Sequence, residues 1–80
     1  MTKRIGEIAI IIDSREAAAK DVNEILTQYG DFIIARMGVP YREKNLHIIS
    51  IVIEATTDEI GALTGRLGQV PHVKVKSLTV

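Results

Sequence analysis

Two segments constrain this chain more than anything else in it: RIGEIAIII at residues 4–12 and LHIISIVIE at residues 46–54. Each is a run of β-branched side chains, which suit extended backbone and a pleated surface. A strand shows alternate residues to opposite faces, so each segment has a pure face and a mixed one. Ile8, Ile10 and Ile12 make the pure face of the first, and Ile49, Ile51 and Ile53 that of the second. The mixed faces carry Ile5, Glu7, Ala9 and Ile11, then Ile48, Ser50 and Val52. A sheet built on these strands needs helices on its pure side.

Helical periodicity appears where it is needed. Ala18, Val22, Ile25, Leu26 and Tyr29 fall on one face of a helix over residues 15–29. Asp13 or Ser14 can cap it, Glu16 stands at capping-box spacing from Asp13, and Gly30 is placed to end it in a left-handed conformation. Thr56-Thr57-Asp58-Glu59 opens a second helix through Leu67, with Ile60, Leu63, Thr64 and Leu67 inward. Gly61 and Gly65 inside it each cost about 1 kcal/mol against alanine, a cost that tertiary contacts or the close approach of another backbone would explain. Gly68 and Pro71 end that helix, and residues 72–78 return to strand.

With a further strand at residues 32–38, the order is β-α-β-β-α-β without linker or repeat. That predicts one α+β domain over residues 1–80: a ferredoxin-like sandwich whose four-stranded antiparallel sheet, order 4-1-3-2, has two helices on one face. The mixed face then stays open, joined by Phe32, Ile34 and Arg36 from strand two and by Lys74 and Lys76 from strand four. Soluble monomers rarely leave such an apolar face uncovered. Hiding several hundred Å2 of it would contribute on the order of 10 kcal/mol before association costs. A homo-oligomer, dimer or tetramer, is expected, with Ile5, Ala9, Ile11, Ile34, Ile48, Ser50 and Val52 at its interface. A cross-strand pair of Glu7 with Lys74 or Lys76 would account for those charges structurally.

Composition narrows the chemistry. Ten basic and ten acidic residues balance, leaving no concentrated positive face for phosphates, so direct nucleic-acid binding is not expected. No cysteine is present, and His47 and His72 are too few for a tight transition-metal site, so neither metal nor other cofactor is expected. No membrane-length apolar run or secretory pattern occurs, which points to the cytosol. Nucleophile–base spacing and phosphate-cradling loops are missing, and enzyme activity is not expected.

The stretch ARMGVPYR, residues 35–42, admits two readings. It is either a charged hairpin, bent by Gly38 and Pro40, that keeps an edge from aggregating, or a binding edge. Arg36 and Arg42 would then serve as forked donors and Tyr41 as an amphipathic ring. Asn45 suits a left-handed position there.

Taken together, ARMGVPYRE, ISIVIEATTDEIGALTGRLG and VPHVKVKS resemble a group of small bacterial proteins across about residues 4–77. This is the ACT-like family named as iron-only ([FeFe]) hydrogenase system regulators. The resemblance implies a fold related to ACT domains and to the C-terminal domain of nickel-responsive regulators. These eighty residues hold neither the ribbon-helix-helix arm nor the His/Cys cluster of a nickel-responsive regulator. The implied role is a non-enzymatic oligomeric regulatory module that binds a small effector or a hydrogenase-system protein at a subunit interface. Arg36, Met37, Gly38, Tyr41 and Arg42 are its candidate contacts. A structural or assembly subunit of hydrogenase maturation, without a small-molecule ligand, is the other reading.

Overall fold

The two isoleucine strands pair with each other at the centre of the sheet. In a computed structural model, which describes residues 2–80 apart from the side chains at 15 and 17, β1 (Arg4–Ile12) runs antiparallel to β3 (Leu46–Ala55). Ile8 lies opposite Ile51 and Ile10 opposite Ile49. Between them in sequence come α1 (Arg15–Gln28) and β2 (Ile33–Tyr41), and α2 (Thr57–Gly68) and β4 (Val73–Thr79) follow β3. The sheet order β2-β3-β1-β4, antiparallel throughout, is the expected ferredoxin-like topology.

The pure isoleucine face is the core. Ile8, Ile10, Ile12, Ile49, Ile51 and Ile53 are each at most 1 % exposed. Ala18, Val22, Ile25 and Leu26 of α1 close over them, with Ile60, Leu63 and Leu67 of α2. The close approach of α2 explains one glycine in β1. A Cβ on Gly6 would sit 3.2 Å from Ile53 and 3.3 Å from Ile60. Gly61 and Gly65 have no such neighbour within the chain, and a Cβ on either would meet nothing within 4 Å.

The two helix starts differ. Thr56 caps α2 with a complete capping box: its hydroxyl accepts from the Glu59 amide at 3.1 Å, and the Glu59 carboxylate accepts from the Thr56 amide at 2.8 Å. The expected box at α1 does not form. Ser14 is the cap residue but makes no side-chain cap bond. Asp13 instead reaches across to the turn before β4. Its amide donates to the His72 carbonyl at 3.0 Å, and its carboxylate lies 3.0 Å from His72 Nδ1. His72 has φ 69°, in the left-handed region that usually favours glycine. Two bonds to Asp13 hold the turn in that conformation, joining the end of β1 to the start of β4. Gly30 also departs from expectation. Tyr29 closes α1 at φ −104°, and Gly30 opens a 3-10 turn through Phe32 without a positive φ. That turn packs Phe32 against the core beside the Tyr29 ring, so Phe32 does not join the open face.

The capping bond from the Thr56 amide holds the Glu59 carboxyl below its ordinary range. The folded pKa is the depressed one, so this contribution is present above the ordinary glutamate range and fades as pH falls through the folded value. Thr56→Ala should cost about 1 kcal/mol at pH 7. Glu59→Gln should lose less stability than the parent as pH falls below the ordinary glutamate range. Urea midpoints measured across that range check both.

Candidate functional site

The quoted stretch ARMGVPYR does not form a bent hairpin. β2 runs straight through Gly38 and Pro40 to Tyr41, and the reversal comes later, in a 3-10 turn at Arg42–Lys44 closed by Asn45 at φ 53°. Asn45 takes the left-handed position expected of it, and its amide donates to the Arg42 carbonyl at 3.1 Å. Pro40 is tolerated because β2 is an edge strand, where a missing amide donor need not break a ladder.

A β-bulge decides which way the candidate residues face. Ile33 pairs with Ile53, yet Ala35 pairs with Val52, so one extra residue, Ile34, enters β2 between them. Beyond the bulge the alternation is reversed from a simple period of two. Arg36 pairs with Ile51 and therefore lies on the helix side, not on the open face. Its Nη2 donates to Asn23 Oδ1 of α1. Gly38 follows on the same side, where a Cβ would stand 3.2 Å from His47 Nε2. Met37 pairs with Ser50 and Tyr41 with Leu46, which sets both on the open face. Arg42 lies past the strand end, exposed in the turn. The five candidate contacts are thus divided between two faces, and Arg36 is tied to a helix.

The open face itself is as apolar as its sequence implied, and wider. Of nine large hydrophobics that remain exposed among the described residues, eight lie on it: Ile5, Ile11, Ile34, Met37, Val39, Tyr41, Ile48 and Leu78. Only Val80, beyond β4, does not. Ala9, Ser50 and Val52 complete the expected set at its centre. Val39 and Leu78 were not among the expected interface residues. The bulge hid the first. The second continues the alternation of Lys74 and Lys76, and the period of two alone could have found it.

The polar groups on this face are few. Leu78 lies directly across from Glu7, with Lys76 opposite Ala9 and Lys74 opposite Ile11. The expected Glu7–lysine ion pair is not made within the chain. Glu7, half-buried, instead accepts a hydrogen bond from the Ser50 hydroxyl. Among the described residues the acid–base contact found is the hydrogen bond between His72 Nδ1 and the Asp13 carboxylate. On the other side of the molecule a shallow groove of about 340 Å3 separates the helices, with Asp21, Gln28, Arg66 and Val70 in its lining. Arg66 spans it by donating to Gln28 and stacking 5.8 Å from the Tyr29 ring centre.

A ferredoxin-like module with one helix-covered face and one open apolar face is the class of protein these elements define. The family is more specific. The model of the TM1266-like family, described as "Iron-only hydrogenase system regulator, putative", matches residues 4–77, and the chain belongs to that family. The structure of TM1266 from Thermotoga maritima is 41 % identical over 98 % of both chains, with a TM-score of 0.94. The uncharacterized transcriptional regulator MJ0080 of Methanocaldococcus jannaschii is 30 % identical over 76 residues. The match takes in 95 % of this chain but 57 % of that protein, so the chain spans little more than half its relative's length. The C-terminal domain of MgtC from Mycobacterium tuberculosis shares the fold at 13 % identity, with 96 % and 87 % of the two chains covered and a TM-score of 0.75.

Because the bond from Arg36 to Asn23 is exposed, Arg36→Ala should lower stability by less than about 1 kcal/mol. The substitution should leave any association through the open face unchanged. Urea unfolding together with sedimentation velocity tests the pair of outcomes.

Proposed function

We propose that this chain is a non-enzymatic regulatory module of the iron-only hydrogenase system. It works as a homo-oligomer whose subunits bury the open sheet face. The single observation that carries this reading is the concentration of eight exposed large hydrophobics on that one face. Burying such a patch is the largest favourable term open to this molecule beyond its own folding. Membership in the regulator family supplies the biological setting.

A small effector or a hydrogenase-system protein would act at the β2 edge, where Met37 and Tyr41 border the open face and Arg42 stands beside them in the turn. An occupant there touches the rim of the subunit interface. It can therefore favour one association state over another, and only such a difference in affinity shifts an equilibrium. Arg36 takes a supporting part in this scheme, fixing β2 against α1 through Asn23.

A second reading, an assembly subunit of hydrogenase maturation with no small-molecule ligand, draws on the division of the β2 side chains between two faces. Arg36 and Arg42 do not converge on one cradle, which suits a broad protein contact better than a small anion. Heat stability separates the two. An effector-binding module gains RT ln(1 + [L]/Kd) with the correct metabolite, whereas an assembly subunit gains nothing and co-purifies with a hydrogenase-system protein.

The oligomer is tested first. The parent should sediment as a dimer or larger, and Ile11→Glu or Ile48→Glu should weaken association at least tenfold, because a charge in the middle of the face loses its water on association. A parent that remains monomeric at high micromolar concentration overturns the reading.

A further inference from the structure

The arrangement of side chains on the open face selects one way of stacking it on a second copy. This inference rests on the oligomer proposed above and specifies its geometry. The registers set the face out as rows across the four strands. One row is Ala35, Val52, Glu7 and Leu78, from β2 to β4. The next is Met37, Ser50, Ala9 and Lys76. Compared strand by strand, β2, β3 and β1 each offer a small side chain in one row and a larger one in the other: Ala35 against Met37, Ser50 against Val52, Ala9 against Glu7.

Two sheets stacked face to face about a two-fold axis can be related in two ways. If the axis runs along the strands, β4 of one copy lies over β2 of the other. Lys76 then falls on Met37, Lys74 falls on Val39, and neither lysine meets an acid. Glu7 would be covered by Val52 and would have only Ser50 of its own chain. Burying charges without partners is costly. If the axis runs across the strands, between the two rows, each strand lies over its own copy, running antiparallel. Small residues then face large ones on all three strands, which is how facing layers interdigitate. Glu7 of one subunit comes to lie over Ala9 of the other, one strand spacing, about 4.8 Å, from Lys76. Sheets pack about 10 Å apart, a gap that the combined length of a lysine and a glutamate side chain spans.

We infer that the chain forms a two-fold dimer by stacking its open sheet faces with strands antiparallel, and that Glu7 of each copy pairs with Lys76 of the other. The two reciprocal pairs neutralise the half-buried carboxylate in a way the single chain does not. They also fix the register of an interface that apolar contacts alone would leave free to slide.

The chain has no cysteine, so single engineered thiols report cleanly on this geometry. Glu7→Cys protein is mixed with Lys76→Cys protein, allowed to exchange, and treated with a short bismaleimide. A parallel mixture pairs Met37→Cys with Lys76→Cys. Circular dichroism checks each fold and sedimentation checks each association state. The expected result is at least tenfold more cross-linked heterodimer from the first mixture than from the second. Excess product from the Met37 mixture, or equal yields from both in samples that sediment as dimers, overturns the antiparallel geometry while leaving the oligomer intact. Monomeric samples remove both. As an independent check, Glu7→Lys and Lys76→Glu should each weaken dimerisation at least tenfold, and the double exchange should recover most of that loss. A double variant no tighter than either single one overturns the reciprocal pair.

Discussion

The pairing of β1 with β3 is the contact on which the rest of the molecule depends. It sets Ile8 against Ile51 and Ile10 against Ile49 at the centre of the sheet, and both helices close over that layer. Aromatics make up only 4 % of the chain, so packing rests on aliphatic surfaces that must interlock closely. Because the pair is central, it also fixes the second face. Every residue driven inward at one position sends its neighbour outward at the next, and the isoleucines at 5, 11 and 48 follow from the same register as the core.

Around that centre, the edges are where the chain spends its irregular features. On one edge, Asp13 and His72 lock the end of β1 to the turn before β4, with His72 held at a positive φ. On the other, the bulge at Ile34 turns β2, and Arg36 reaches to Asn23 instead of facing the open side. Bulges on edge strands blunt the edge against unwanted pairing. Here the bulge also brings Met37, Val39 and Tyr41 onto the apolar face, widening it by a full strand. One of the stretches that carry the resemblance to the regulator family is thus the element that extends the proposed interface to the sheet edge. This gives an occupant of that edge a physical route to the association state.

Much of the fold was legible from residue order. The alternation of the two isoleucine strands gave the core list without error at Ile8, Ile10, Ile12, Ile49, Ile51 and Ile53. Helical spacing gave the buried face of each helix, and Thr56 with Glu59 gave a cap that the structure contains. The errors have two sources. Asp13 and Arg36 follow a distant contact and a change of register, whereas Gly30 and Phe32 follow the 3-10 turn after α1, which needs no positive φ and carries Phe32 onto the core. Asp13 capped nothing because His72, 59 residues away in sequence, claimed its carboxylate. Arg36 changed face because one residue was inserted two positions earlier, and no residue type marks a bulge unambiguously. Glu7 found Ser50 because the registers put Leu78, not a lysine, directly across from it.

The sequence by itself determined the element order, the sheet topology, the core and the existence of a second apolar face, because each depends on periodicity repeated over many residues, which a single exception does not disturb. Only the tertiary structure decided how the candidate residues divide between faces, and which polar groups on the open side lack a charged partner within the chain. Those outcomes depend on strand register and on contacts between residues far apart in sequence. One inserted residue reverses a register, and the energy differences at stake are those of single hydrogen bonds.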